Sequence, residues 1–315
     1  MARKELLGVR KPMSEESRAK IAESVRAKAE EKRKALGIST EQAYRTPELI
    51  KMRNQNFDPE LFVNMQTGKE IDGFFSNDGG IPKACNFILT GGPGVGKSTV
   101  GLDILSDLAM SGHSVLFVSA EMTRIDLFQY VQRFPKFGSI PILFLGEYSD
   151  SNPKRVLEEV LSQGFDCVLV DSFAEVQSTI KETLHISGNA SEKWLIDLMI
   201  SHNLGENKEK KNTTFLAIQQ VTKGGVFVGS NKLKHNTTGM LELRREKEEL
   251  NPHMVFTKNR RGAIEEKLHY SLSQSGDVNY STSKFFSDDE GEFPEEDKEI
   301  STARELSEIL KGLKI

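Results

Sequence analysis

The chain has 315 residues and a mass of 35.3 kDa, with 37% hydrophobic residues, 28% charged residues and a net charge of −4. This composition supports one sizeable core with solvated ends, and the length suits a single large α/β domain with extensions. No run approaches the roughly 18 apolar residues of a membrane span, and the basic start, Met1 to Lys11, lacks the apolar stretch of a secretory signal.

The charge is uneven along the chain. Residues 1–53 carry fourteen Lys/Arg against eight Asp/Glu, and residues 287–299 carry eight acids against Lys298. A basic arm (1–56), a core (57–286) and an acidic linker with a terminal helix (287–315) follow from this division. In the arm, Ser14-Glu15-Glu16-Ser17 is a helix-capping signal, and Arg18 to Leu36 contains no Gly or Pro. Its apolar positions are sparse, so the helix reads either as a solvated charged helix or as a surface for a polyanion. The stretch Ser14 to Ile21 resembles a short DNA-binding helix found beside homing nucleases.

The strongest motif is Gly91-Gly92-Pro93-Gly94-Val95-Gly96-Lys97-Ser98, which satisfies G-x-x-x-x-G-K-[ST] in full. A short apolar strand, Cys85 to Thr90, precedes it, and a helix from Thr99 to Met110 follows. Glycines let backbone N–H groups close around phosphate, and the helix N-terminus adds a positive dipole end. Lys97 is then expected on the β- and γ-phosphates of ATP and Ser98 on Mg²⁺. The next strand, Val115 to Ser119, runs into Ala120-Glu121-Met122. At a strand's C-terminal end Glu121 is placed as general base for the attacking water, or else as a helix N-cap acid before Thr123 to Arg133. A helix from Asn152 to Gln163 leads to the apolar strand Cys167 to Val170. Asp171 ends that strand and is expected to act on Mg²⁺, whereas Asp166 reads as a surface turn residue. Strand Thr214 to Ile218 ends in Gln219-Gln220, where Gln220 is placed to sense the γ-phosphate. Cys85 and Cys167 lie in apolar runs and read as buried thiols of a reducing, cytoplasmic compartment.

These motifs, in this order, resemble the RecA-like ATPases, within them the RadA and DnaB branch. Thr67-Gly68-Lys69-Glu70-Ile71-Asp72 with Gly79-Gly80-Ile81-Pro82 is similar to the family's lead-in to the phosphate loop. Ser119-Ala120-Glu121-Met122 is similar to the DnaB strand end that carries the catalytic glutamate. Thr222-Lys223-Gly224-Gly225-Val226-Phe227-Val228-Gly229, with Leu233 and His235, is similar to the RadA segment T-K-x-G-x-x-x-G-x-x-x-L-x-H. Lys258-Asn259-Arg260-Arg261-Gly262 resembles RadA's K-N-R-F-G. The sequence departs from the family in lacking RadA's four-cysteine zinc module and protease-like domain, and in Gln220 and Arg261, where RadA has histidine and phenylalanine.

The resemblance implies an α/β RecA-like core with a mostly parallel sheet, binding ATP and Mg²⁺ through Gly91 to Thr99, Ser98 and Asp171. It implies ATP between subunits of a ring, such as a hexamer, or of a filament, with Lys258 and Arg260 reaching across as basic fingers. His253 to Lys258 and Ile264 to Ser271 read as the strands of the hairpin that carries them. Two loops are then expected on single-stranded DNA. One is Glu175 to Ser191 with Lys181 and His185, and the other is Thr222 to Asn236 with Lys223, Phe227, Lys232 and Lys234. Lysines and glycine amides suit phosphate contacts, and Phe227 either stacks on a base or packs within its loop. Ser301 to Leu313 reads as an amphipathic helix that docks on its own core, a neighbouring subunit or a protein partner. The function implied is a DNA-dependent ATPase, a helicase or branch-migration motor. A strand-exchange recombinase and a nucleotide-switched scaffold are the alternatives.

Overall fold

Six strands, four of them buried along their whole length, build the parallel part of one sheet, as expected where both faces are covered. They are β1 (Asn86–Gly91), β2 (Val115–Ser119), β3 (Ile142–Phe144), β4 (Cys167–Asp171), β5 (Thr214–Ile218) and β6 (Gly239–Arg244). Three antiparallel strands extend it: β7 (His253–Asn259), β8 (Lys267–Leu272) and β9 (Val278–Ser281). The order across this nine-stranded sheet is β3-β2-β4-β5-β1-β6-β7-β8-β9. A computed structural model supplies these coordinates and describes residues 49–148, 150–220, 231–245, 252–273 and 277–285, with Ser14, Lys20, Glu23, Ser24, Ala27 and Lys28; the side chains of 231 and 232 are not among what it describes. Lys223, Phe227, the side chain of Lys232, the acidic linker and the terminal helix expected at Ser301 to Leu313 lie outside the described residues. So does most of the arm helix.

The chain divides into two units, Met1–Asn56 and Phe57–Ile315. In the first, Lys20, Glu23, Ser24, Ala27 and Lys28 are helical and exposed. The second holds the sheet and seven α-helices among the described residues: α1 (Ile71–Phe75), α2 (Lys97–Met110), α3 (Arg124–Arg133), α4 (Pro153–Leu161), α5 (Phe173–Thr183), α6 (Gly188–Asn203) and α7 (Asn231–Asn236). Two apolar clusters form on the sheet. One gathers α1, α2 and residues of α3 with β7 to β9, through Phe75, Phe87, Val100, Leu105, Phe256 and Tyr270. The other gathers α4, α5 and α6, through Leu157, Val176, Ile180, Leu195 and Met199. Covering both faces leaves the C-terminal strand ends as the open crevice, where such sheets hold ligands.

The lead-in motif has a physical basis. Asp72 accepts hydrogen bonds from the Thr67 N–H, the Gly68 N–H and the Thr67 hydroxyl at 2.8–3.0 Å. That turn delivers Lys69 to Asp103 (2.9 Å), Asp107 (2.7 Å) and Asp277 (2.8 Å), and Lys136 meets the same three acids. Two ammonium groups among three carboxylates make this a cross-link between the lead-in, α2 and the start of β9.

Two expectations are corrected. The stretch from Glu175 to Ser191 is not a loop. It is most of α5, a short turn and the start of α6, and Ser172 and Ser187 cap the two helices through the Glu175 and Ala190 N–H groups. Lys181 is an exposed residue of α5 and His185 lies in the turn. Asp166 is not a plain surface turn residue. It accepts from the Ser114 N–H (2.7 Å) and hydroxyl (2.8 Å) and pairs with Lys211 (3.0 Å). Both cysteines are free and buried. Among the described residues, no helix is long and apolar enough to cross a membrane.

Candidate nucleotide site

The phosphate loop joins β1 to α2. Gly96, the residue before α2, holds φ +95°, a left-handed conformation that favours glycine and lets the chain turn directly into the helix. Lys97 begins α2 and folds back, donating to the carbonyls of Gly91 (3.0 Å) and Gly92 (2.9 Å). Burial lowers its pKa, while Asp171 and Glu121 oppose the shift. The next residue, Ser98, donates its hydroxyl proton to Asp171 Oδ2 at 2.6 Å. Asp171 ends β4 and is 2% exposed. Burial pushes its carboxyl up to about 6 with help from the Glu121 charge, against the Ser98 hydrogen bond and Lys97. A hydroxyl and a buried carboxylate side by side form an oxygen donor set that suits Mg²⁺ at the mouth of a phosphate cradle.

Glu121 lies just beyond β2 and is exposed. Its Oε1 accepts from Gln220 Nε2 at 3.0 Å, from just beyond β5. The loop residues Gly91, Pro93, Gly94, Gly96, Lys97, Ser98 and Thr99 line one cleft of about 530 Å³ with Glu121, Asp171 and Gln220. Four strand ends thus bring together residues that the sequence spreads over 130 positions, from Gly91 to Gln220. Gly92 and Val95 belong to the same loop between β1 and α2.

Lys258 and Arg260 are not among the residues lining that cleft. Lys258, in β7, donates to the carbonyls of Lys234 and Thr237, the latter at 2.7 Å, and Arg260 donates to the His235 carbonyl at 2.9 Å. Both cations therefore sit on the carbonyl end of α7, the favourable pole for positive charge. Lys234 is half-buried in that helix. The rest of the K-N-R-R-G motif fixes the hairpin tip. Asn259 Nδ2 donates to the Phe75 carbonyl (3.1 Å), its Oδ1 accepts from the Arg261 N–H (2.9 Å), and the Arg261 carbonyl accepts from the Asn77 N–H (3.2 Å).

Sequence reasoning missed two tyrosines at this site. Tyr130, in α3, lines the cleft and shares a hydrogen bond with the Thr99 hydroxyl. Its ring stacks on Phe137, with centroids 6.0 Å apart. The other is Tyr270, in β8, whose hydroxyl donates to the Val95 carbonyl of the loop at 2.5 Å.

Comparison with known proteins agrees with this geometry. The profile of the KaiC ATPase family matches residues 65–138. The DNA repair protein RadA of Aquifex aeolicus is 27% identical over 212 residues, covering 66% of this chain and 45% of its own length. RadA of Campylobacter jejuni is 29% identical over 157 residues, covering 50% of this chain and 33% of its own. The chain thus spans less than half the length of these two relatives. A KaiC-like protein of Pyrococcus horikoshii shares the fold with a TM-score of 0.52 and 18% identity, over 70% of this chain and 99% of its own. The lead-in, phosphate loop and strand-end residues, together with these matches, make the chain similar to the RecA-like P-loop ATPases and, within them, to RadA.

Proposed function

We propose that this ATPase is driven on single-stranded DNA as an oligomeric motor, a helicase or branch-migration factor in recombination and repair. The observation that carries the reading is the Glu121–Gln220 hydrogen bond at the cleft. It ties the residue placed for water activation to a residue two positions before the Thr222 to Asn236 segment proposed to contact DNA. A change at the γ-phosphate that moves Gln220 is thereby passed to the segment that follows it. The RadA relatives, named as DNA repair proteins, support the choice of DNA as the track.

In this mechanism the loop amides and Lys97 bind the phosphates of ATP, and Lys97 must leave the Gly91 and Gly92 carbonyls to do so. Ser98 and Asp171 would hold Mg²⁺, which neutralises charge on the β- and γ-phosphate oxygens when bound. Glu121 accepts a proton from the attacking water, and Gln220 orients that carboxylate. Arg260, from the hairpin of a neighbouring subunit, supplies positive charge to the transition state.

ATP turnover measured with and without single-stranded DNA tests the reading. Lys97→Ala is expected to lose nucleotide affinity and turnover together. Glu121→Gln is expected to bind nucleotide normally while turnover drops by about a hundredfold or more. Parental turnover in Glu121→Gln removes the base assignment, and a parental rate indifferent to DNA removes the motor.

A further inference from the structure

Tyr270 belongs to no nucleotide-binding motif and lies 175 positions from the residue it contacts. It is 1% exposed, and its hydroxyl donates to the Val95 carbonyl at 2.5 Å. Its ring lies under Gly96, where an added Cβ would sit 3.8 Å from Cε2. Leu272, two residues along β8 and so on the same face of the strand, lines the nucleotide cleft.

A peptide unit is planar and trans, so the Val95 carbonyl and the Gly96 N–H point in opposite directions. Rotating that one unit would exchange them, presenting a carbonyl oxygen to phosphate in place of a donor. Most residues resist such a flip, but glycine accepts either sign of φ, and Gly96 stands on the positive side at +95°. The glycine that the tight turn requires therefore leaves the flip open.

We infer that Tyr270 is a positioning residue for phosphate binding: its hydroxyl holds the Val95 carbonyl, so that the Gly96 N–H is presented to the nucleotide. Burial raises the pKa of the phenol, which keeps it a proton donor across the working range of the enzyme. The assignment rests on the phosphate-loop reading and adds a distant residue to it. It also connects the cradle to the strand pair β7–β8 that carries Arg260 at its tip.

Tyr270→Phe removes the hydroxyl and keeps the ring. Fluorescent ADP titration and steady-state ATP hydrolysis, with thermal melting as a control of folding, read the effect. Expected is a loss of ADP affinity of about three- to tenfold, the worth of one hydrogen bond, and a matching rise in KM for ATP. The kcat at saturating ATP stays within about twofold of the parent, because nucleotide binding drives the peptide to its productive orientation. Unchanged ADP affinity overturns the inference, as does a fall in kcat with KM unaltered. Lys97→Ala is titrated alongside. If it loses ADP affinity and Tyr270→Phe does not, only the Tyr270 assignment fails. If Lys97→Ala binds ADP as tightly as the parent, the phosphate-loop reading fails and the Tyr270 assignment falls with it.

Discussion

Asp166 shows how one carboxylate can serve the fold at the end of β4 away from the nucleotide cleft. Burial alone would raise its pKa. The Ser114 N–H, the Lys211 ammonium and the Ser114 hydroxyl outweigh burial and hold it below the ordinary carboxylate range. These contacts join the residue before β2 to the residue before β4, two neighbouring parallel strands. A carboxyl depressed in the folded state adds stability above its unfolded value, about 3.9, and loses it as pH falls through the folded value. Asp166→Asn is therefore expected to cost about 1.5–3 kcal/mol near pH 7, the range for hydrogen bonds to a charged group. That deficit should begin to shrink below about pH 4, where the unfolded-state carboxyl protonates, and be lost as pH falls through the lower folded value. Urea unfolding at a series of pH values measures the difference, and a deficit constant with pH would show that the charge contributes nothing. Burial also raises Asp171, and there it prevails over the Ser98 hydrogen bond and Lys97, so the net shift is upward.

Among the elements, the hairpin β7–β8 is braced at its tip against the end of α1. At Gly262 an added Cβ would lie 2.9 Å from Asn259 Nδ2, 3.2 Å from the Phe75 carbonyl oxygen and 3.3 Å from the Ser76 Cα. Two of those three atoms are backbone at the end of α1, so the neighbour cannot simply swing away. Gly262→Ala should cost about 1–3 kcal/mol through overpacking, read as a lower melting temperature. ADP affinity should hold, since the phosphate loop lies at the other end of β8. An unchanged melting temperature would mean that the tip is not braced against α1. The motif was legible in the sequence as a basic turn between two strands, but the roles of Asn259 and Gly262 were not, because both depend on contact with residues some 185 positions earlier. Local signals did fix the parallel strands, α2 and the cleft residues, since apolar runs ending in Glu121, Asp171 and Gln220 carry their own punctuation. The α5–α6 pair was legible too. Val176 and Ile180 repeat at helical spacing and Ser172 and Ser187 are capping residues, whereas the family resemblance implies a loop there. Tyr130 and Tyr270 left no such trace, because a hydroxyl that reaches across the fold imposes no pattern on its own segment.

For the whole molecule, the proposal is that one chain does not complete its own site. The cleft gathers Lys97, Ser98, Glu121, Asp171 and Gln220, and neither Lys258 nor Arg260 lines it. Phosphoryl transfer develops charge on the transferred oxygens, and a cation supplied from outside the phosphate loop is a recurrent way to stabilise it. Within its own chain Arg260 rests on the His235 carbonyl at the end of α7. Reaching a neighbour's nucleotide requires it to leave that carbonyl, so the finger and the helix next to the DNA segment would change together. In the proposed head-to-tail interface, the phosphate loop of one subunit would face the hairpin of the next, repeated around a ring or along a filament. Arg260→Ala should then lose at least about a hundredfold in turnover while still binding ADP. Lys97→Ala should lose turnover through the other half of the same interface. When the two inactive proteins are mixed in equal amounts and allowed to exchange subunits, about a quarter of the interfaces pair an intact loop with an intact finger. ATPase activity should therefore reappear on mixing, rise to a maximum near equal proportions and fall again when either protein is in excess. Subunit exchange, followed by energy transfer between labelled chains, must be seen in the same samples. Exchange without recovered turnover at any ratio would place Arg260 in the service of its own α7 alone.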